Sequence, residues 1–432
     1  MSNLIEIAKL AKQASLELAS VSTELKNKAL ERVAQLLEAN KKEIIDANKL
    51  DLESAVKLVE SGKLTKSAYN RLKFDESKMR DMIKGVLDVK KLPDPVNKKL
   101  WGMQLDDGLD LYKVSCPIGV IGVVFEARPD VIAQISSLAI KSSNAVILKG
   151  GKEAVNTNKV IFGIINSALD EVNFPKNAIS QIYSREDVAK MLTLDEYIDL
   201  IIPRGGNALV QYVKANTRIP VLGHADGICH IYVDKSANFD KAIKIIIDAK
   251  TQYPSACNAV ETVLVHKDIA EEFVPRLYAE LDKYGVEVRG CYVCRGYVSD
   301  IHPLEDDWAH EYSDLILAMK VAASEIDAIN HINIFGSGHT DCIITEDKKA
   351  AELFMDLVDS SGVYCNVSTR FSDGFRYGFG AEVGISTNKT HARGPVGLDG
   401  LTIYKYKLYG SGQVVSEYVK GEKTFKHNKI EV

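Results

Sequence analysis

An open α/β fold built on a parallel sheet is the class that the sequence predicts, and three observations predict it. The run GVIGVVFE, from Gly119, is continuous, apolar and β-branched, which marks a strand buried on both faces. A second such run, NAVILK, follows it, with a helical periodicity between the two. The alternation then recurs through the middle of the chain, the grammar of βαβ units with helices on both faces of the sheet. In such sheets ligands bind outside the carboxyl ends of the strands.

Taken in order, the first hundred or so residues read as helices. Ala29, Val33, Leu36 and Leu37 fall at helical spacing behind the cap candidates Ser22 and Thr23, and Ile44, Ala47 and Leu50 continue the pattern. Pro93 and Pro95 break it. Residues 105–114, LDDGLDLYKV, alternate weakly and predict a strand, one arm of an extended hairpin. Pro129 suits the first turn of a helix reaching about Lys141, and Glu153 to Leu169 predicts a second amphipathic helix. AISQIY, DVAKML, YIDLIIP, NALVQYVKAN and IPVL then repeat strand and helix as far as residue 222. A second α/β block starts at CHIYVD, continues through the helix NFDKAIKIIIDAKTQ and the loop YPSACNA, and reaches the strand ETVLVH. Strands DCIIT and GVYCNV flank a helix over 347–358, and GLTIYKYKLYG alternates as a strand beyond a Gly-rich linker at 394–400.

At 432 residues the chain is long enough for two to four domains. Its 54 basic and 59 acidic residues leave a net charge of −5, which argues against a nucleic-acid or membrane-surface partner. The longest uncharged apolar run, Cys116 to Phe125, is about half the ~20 residues of a membrane span, and the N-terminus lacks the marks of a targeting segment. Seven cysteines without a framework of spacings predict a reducing compartment, hence a soluble cytoplasmic protein. Cys291 and Cys294 have no second pair to complete a zinc site, so no metal is expected.

Four features carry candidate chemistry. Cys257 stands in a turn between a helix and a strand, whereas Cys229, Cys342 and Cys365 sit in or beside apolar strand runs. Two turns, Lys149-Gly150-Gly151 and Arg204-Gly205-Gly206, each follow a strand and precede a helix, where an anion would meet free N–H groups; ordinary loop glycines with positive φ are the alternative. Arg128 and Arg370 are candidates to grip a carboxylate or phosphate, or to form a loop salt bridge. His224, at the end of the last parallel strand of the first block, serves either chemistry or packing. The segment 364–385 is too apolar and Gly-rich for a solvated loop.

These segments together resemble the gamma-glutamyl phosphate reductase branch of the aldehyde dehydrogenase superfamily. The resemblance is carried by PIGVIGVVFEARPDV, NAVILKGGKEAVNTN, YIDLIIPRGGNALV, IPVLGHADGICHIYVD, TQYPSACNAVETVLVH, DSSGVYCNVSTRFSDGF and FGAEVGISTNKTHARGPVGLDGL, in that order over nearly the whole chain. It implies residues 1–105 and 119–228 as a Rossmann-like NADPH-binding domain, 229–385 as an α/β catalytic domain and 386–400 as a return to the first. It makes 106–118 and 401–432 an oligomerisation hairpin and C-terminal strand. The implied reaction is NADPH-dependent reduction of L-glutamyl 5-phosphate to glutamate 5-semialdehyde in proline biosynthesis. Cys257 matches the nucleophile; Lys149, with Gly150, Gly151, Gly205 and Gly206, matches the cofactor site, and Glu311 the contact to the nicotinamide ribose. Arg128, His224, Asn258 and Arg370 are expected around the substrate. The superfamily's oxyanion asparagine would fall near Ala127, and its water-activating glutamate near His224. Losing that base suits a phosphate-dependent enzyme over a hydrolytic NAD(P)-dependent aldehyde dehydrogenase, the enzyme alternative. A homo-oligomer is expected, with any glutamate 5-kinase a separate polypeptide; a non-catalytic partner of that kinase is the alternative from another class.

Overall fold

The computed structural model describes residues 4–224, 226–304 and 307–432. The chain folds as two compact units, Met1–Leu222 with Gly397–Val432, and Gly223–Val396. The sequence reading puts the corresponding breaks at 228/229 and 385/386; the short antiparallel pair Gly384–Ser386 and Gly394–Val396 keeps the later residues with the second unit.

In the first unit five helices precede any strand. The helix Thr23–Ala39 is capped by the Ser22 hydroxyl, which accepts from the Leu25 amide. Its apolar face, including Ala29, Leu30, Val33 and Leu37, is buried against helices Glu76–Lys91 and Val155–Glu171. Ile44 and Ala47 are buried too, but on a separate helix, Lys41–Glu60, and Leu50 is 55% exposed there. A single unbroken stripe does not survive the restart at Asn40.

Next comes a hairpin, β1 (Lys99–Asp106) and β2 (Leu109–Pro117). The turn at Asp107 and Gly108, where Gly108 takes φ 66, falls inside the segment 105–114, which is therefore two strand ends and not one strand. The C-terminal strand Thr402–Tyr409 pairs antiparallel with β2, and Asn428–Ile430 pairs with β1. A four-stranded antiparallel sheet results, with Thr402–Tyr409 at one edge. Ile403, Tyr404, Tyr406, Leu408 and Tyr409 on that edge are all exposed.

The parallel sheet of this unit holds β3 (Val120–Phe125), β4 (Ala145–Lys149), β5 (Ile179–Ile182) and β6 (Leu200–Arg204) in the order β5-β4-β3-β6. Every residue of β3 and β4 is buried, as their unbroken apolar runs require. The segment IPVL contributes only an isolated bridge between Val221 and Ile201, since Pro220 has no N–H to extend a ladder. The helix after β3 runs Val131–Ser142, with Asp130 as its cap, so Pro129 lies in the turn before it.

The second unit is a seven-stranded parallel sheet. Its strands are β7 (Cys229–Val233), β8 (Val260–His266), β9 (Glu287–Gly290), β10 (His302–Pro303), β11 (Ile316–Ala322), β12 (Thr340–Ile344) and β13 (Gly362–Cys365), in the order β10-β9-β11-β8-β7-β12-β13. Alternation fills both faces. Ile231, Val233, Val263 and Val265 join the core under helices Phe239–Thr251 and Lys267–Lys283, and Tyr232 and Leu264 join that under Glu325–Phe335 and Lys348–Leu357. No helix among the described residues is long and apolar enough to cross a membrane.

Candidate active site

In the second unit the chemistry gathers at the amino ends of three adjacent strands. Parallel register sets Cys229 of β7 beside Val260 of β8, and Cys342 of β12 beside Ile231. The residues entering these strands therefore share one edge of the sheet: His224 before β7, Cys257 before β8 and His339 before β12. The rule that ligands meet carboxyl ends does not describe this edge.

Cys257 lies in the turn between helix Phe239–Thr251 and β8, half-buried. Its backbone is held from two sides. The buried thiol of Cys229 donates to the Cys257 carbonyl at 3.4 Å, and burial pushes the Cys229 thiol up, so it stays a donor. A Cβ on Gly227 would stand 2.1 Å from that same carbonyl oxygen; glycine is needed here for close approach. The next residue, Asn258, is buried and donates through Nδ2 to the Ser372 carbonyl at 2.8 Å. That commits its amide nitrogen to the loop.

Arg370 is buried on a short 3₁₀ turn, its Nε donating to Gln252 Oε1 at 2.9 Å and its guanidinium over the Tyr253 ring. Burial, then the neighbouring Arg376, lower its pKa, and the field of Cys257 opposes them. A buried cation thus stands within electrostatic reach of the thiol. The surrounding segment is more solvated than its composition suggests: Phe371, Phe375, Tyr377 and Phe379 are exposed.

His224 Nδ1 lies 2.8 Å from the Ile385 carbonyl, which fixes that nitrogen as the N–H donor. Its ring meets the His339 ring edge to face at 4.9 Å. His339 is fully buried, with Nδ1 2.9 Å from the Thr340 hydroxyl and Nε2 without a hydrogen-bond partner. A ring nitrogen from each histidine and the Cys257 sulfur all lie within 4.8 Å of one another. Together they are a group of donors that could hold a metal ion, and sequence spacing conceals it because its members are dispersed over more than a hundred residues.

Sequence reasoning also missed a buried ion pair beneath the loop. Lys250 Nζ meets Glu261 Oε2 at 2.8 Å, and both side chains are fully buried. Burial pushes Glu261 up to about 7 and pushes Lys250 down. Glu311, half-buried ahead of β11, raises Glu261 further through its charge.

In the first unit the predicted residues do cluster at carboxyl strand ends. Lys149 ends β4 and is 9% exposed, while Arg204 ends β6 and Arg128 is exposed just beyond β3. None of Gly150, Gly151, Gly205 and Gly206 has positive φ, so turn conformation is not why they are glycine. Proximity is the reason at three of them: a Cβ would meet Asn158 at Gly150, Glu153 at Gly151 and Glu126 at Gly205. The Gly206 amide donates to Glu126 Oε2 at 3.3 Å, and the Ala127 amide to Glu153 Oε1 at 2.6 Å. One of the amides expected to meet an anion, that of Gly206, is thus met by a carboxylate. A pocket of about 270 Å³ beside β4 and β5 includes Gly150, Gly151, Asn158, Gln181 and Tyr183.

Comparison with known proteins bears on this arrangement. The aldehyde dehydrogenase family model matches residues 2–289. A gamma-glutamyl phosphate reductase of Brachyspira hyodysenteriae is 57% identical over 99% of both chains, and one of Acetivibrio thermocellus 54% over 99% of this chain and 98% of the relative. The crystal structure of a gamma-glutamyl phosphate reductase from Thermotoga maritima superposes with a TM-score of 0.92, at 44% identity, covering 96% of this chain and all of that one.

Proposed function

The chain belongs to the gamma-glutamyl phosphate reductases of the aldehyde dehydrogenase family, and from that premise we propose that Cys257 is the nucleophile by which it reduces L-glutamyl 5-phosphate to glutamate 5-semialdehyde in proline biosynthesis. The observation that carries this reading is the thiol on its fixed turn, held by Cys229 and Gly227, with the buried Arg370 cation in reach.

Cys257 Sγ attacks the acyl carbon, the bond from that carbon to the phosphate oxygen breaks, and inorganic phosphate departs, leaving a thioester. The oxyanion that forms on the way needs preorganised donors, and the Cys257 amide is the nearest by construction. Arg370 is suited to balance the anion, and its stacking on Tyr253 and bond to Gln252 hold it in place. Return of the C–S electron pair to sulfur at the end frees the product and restores the thiolate.

The residues beside β4 and β5 fit a dinucleotide. Gln181 and Tyr183 line the pocket and supply hydrogen bonds, and Lys149, at the end of β4, suits ribose hydroxyls. Glu311 is assigned to the nicotinamide ribose. When bound, NADPH supplies the hydride that takes the thioester to the aldehyde level. The protein is proposed to act in the cytoplasm, where its seven free cysteines stay reduced, and to assemble with further copies through the exposed edge strand Thr402–Tyr409.

The test runs the reaction backwards. Glutamate semialdehyde should reduce NADP only when inorganic phosphate is present, because phosphate must resolve the thioester. Equal rates without phosphate would identify a hydrolytic enzyme and overturn the reading.

A further inference from the structure

The trio at the amino ends of β7, β8 and β12 has a property that acyl transfer does not use. Both imidazoles are already oriented by their Nδ1 atoms, His224 on the Ile385 carbonyl and His339 on the Thr340 hydroxyl. Histidines that ligate metals are held in this way, one ring nitrogen tied to a neighbouring oxygen and the other presented to the ion. His339 is fully buried and its Nε2 has no hydrogen-bond partner, although an orphaned polar atom in a protein interior is costly. The third donor is a sulfur, and the three donor atoms fall within 4.8 Å of one another.

We propose that Cys257, His224 and His339 form a binding site for a borderline-soft divalent cation of the zinc class. The donor set, one thiolate and two imidazoles, is the chemistry that selects zinc over magnesium or calcium, which prefer oxygen. Tetrahedral zinc with bonds of about 2.0–2.3 Å places its ligand atoms roughly 3.3–3.6 Å apart. The trio therefore closes by about 1 Å on the ion, within the reach of side-chain rotation, and water takes the fourth position. Binding exchanges the thiol proton for the metal: the S–H bond breaks, the S–Zn bond forms and the proton passes to solvent. The thioester reading of Cys257 adds the consequence that cation and acyl phosphate exclude each other, so zinc acts as a reversible block.

The experiment uses the full-length protein, reduced and freed of metal by chelation and desalting. Zinc chloride is added in a metal buffer, and alkylation by iodoacetamide is followed at individual cysteines by peptide mass spectrometry. Zinc should slow alkylation of Cys257 about ten-fold or more, leave half-buried Cys116 unchanged, and be reversed by EDTA. Cobalt(II) in place of zinc should give the visible bands of a tetrahedral site with a thiolate charge-transfer band. His339→Ala and, because a buried substitution can unfold the chain, separately the half-buried His224→Ala should each weaken zinc protection about ten-fold or more. Unchanged alkylation of Cys257 in zinc overturns the site. Full protection in both folded histidine variants overturns the three-ligand assignment. Turnover of Cys257→Ser without zinc tests the thioester separately, so the two ideas fail independently.

Discussion

Cys257 and Cys291 are both half-buried thiols, and their neighbours give them different properties. Cys291 caps the short helix Tyr292–Tyr297, with its sulfur 3.6 Å from that of Cys294. The hydrogen bond with Cys294, and then backbone amides, lower Cys291 to about 5 against the opposing effect of burial, while the same pairing, and then burial, push Cys294 up. A thiol with its pKa lowered to about 5 is mostly thiolate at pH 6. Cys291 should therefore alkylate at pH 6 about ten-fold faster than Cys116, whose pKa burial raises, and Cys294→Ser should narrow that gap. Peptide mapping after a timed quench reads both rates, and equal labelling of Cys291 and Cys116 would refute the assignment. At Cys257 the expected outcome is kinetic. Cys257→Ser should lower kcat at least about 10³-fold with little change in cofactor affinity, since serine offers almost no alkoxide at neutral pH. Retained turnover would remove the thioester from the mechanism. Cys257 was legible as a singular residue because its loop is polar and small while the other cysteines follow strand patterns. His339 was not legible, because nothing local separates it from any histidine ahead of a strand.

At the scale of elements, helix Phe239–Thr251 and strand β8 are clamped by Lys250 and Glu261, the residues that flank the Cys257 turn on either side. Breaking a buried pair by removing one charge strands the other. Glu261→Gln should thus cost on the order of 3–5 kcal/mol, read as a lower urea midpoint at unchanged slope. The double replacement Lys250→Met with Glu261→Leu should recover much of that loss. A single variant as stable as the parent would mean that the pair is not closed in solution. Strands β3, β4 and β8 are legible in the sequence because they are buried along their whole length and must be apolar throughout, whereas β9 and β10, short and partly exposed, and β11, half-buried at three positions, escape the reading. The hairpin was read less well. Its alternation is weak because most side chains of β1 and β2 are only half-buried, and Asp107-Gly108 hides a turn within an apparently continuous run.

For the whole molecule, the sequence conveyed the alternation of strands and helices but not strand order, and order decides what the sites are. β7 lies between β8 and β12 in the sheet although β12 follows β8 by more than seventy residues, and only that placement gathers the trio. The exposed edge strand has its consequence at this scale too. Tyr406→Glu combined with Leu408→Glu should shift the protein to smaller species by light scattering, because charges on an edge oppose strand-to-strand association. An unchanged mass would place the interface elsewhere. That edge also imposes an order on biogenesis. β2 is synthesised early, yet its partner Thr402–Tyr409 emerges only after the whole second unit has been made. At about 5–20 residues per second this leaves β2 without that neighbour for roughly 15–60 s of translation. A nascent chain with one naked strand is a substrate for ribosome-associated chaperones, so the sheet that closes the first unit is among the last structures to be completed.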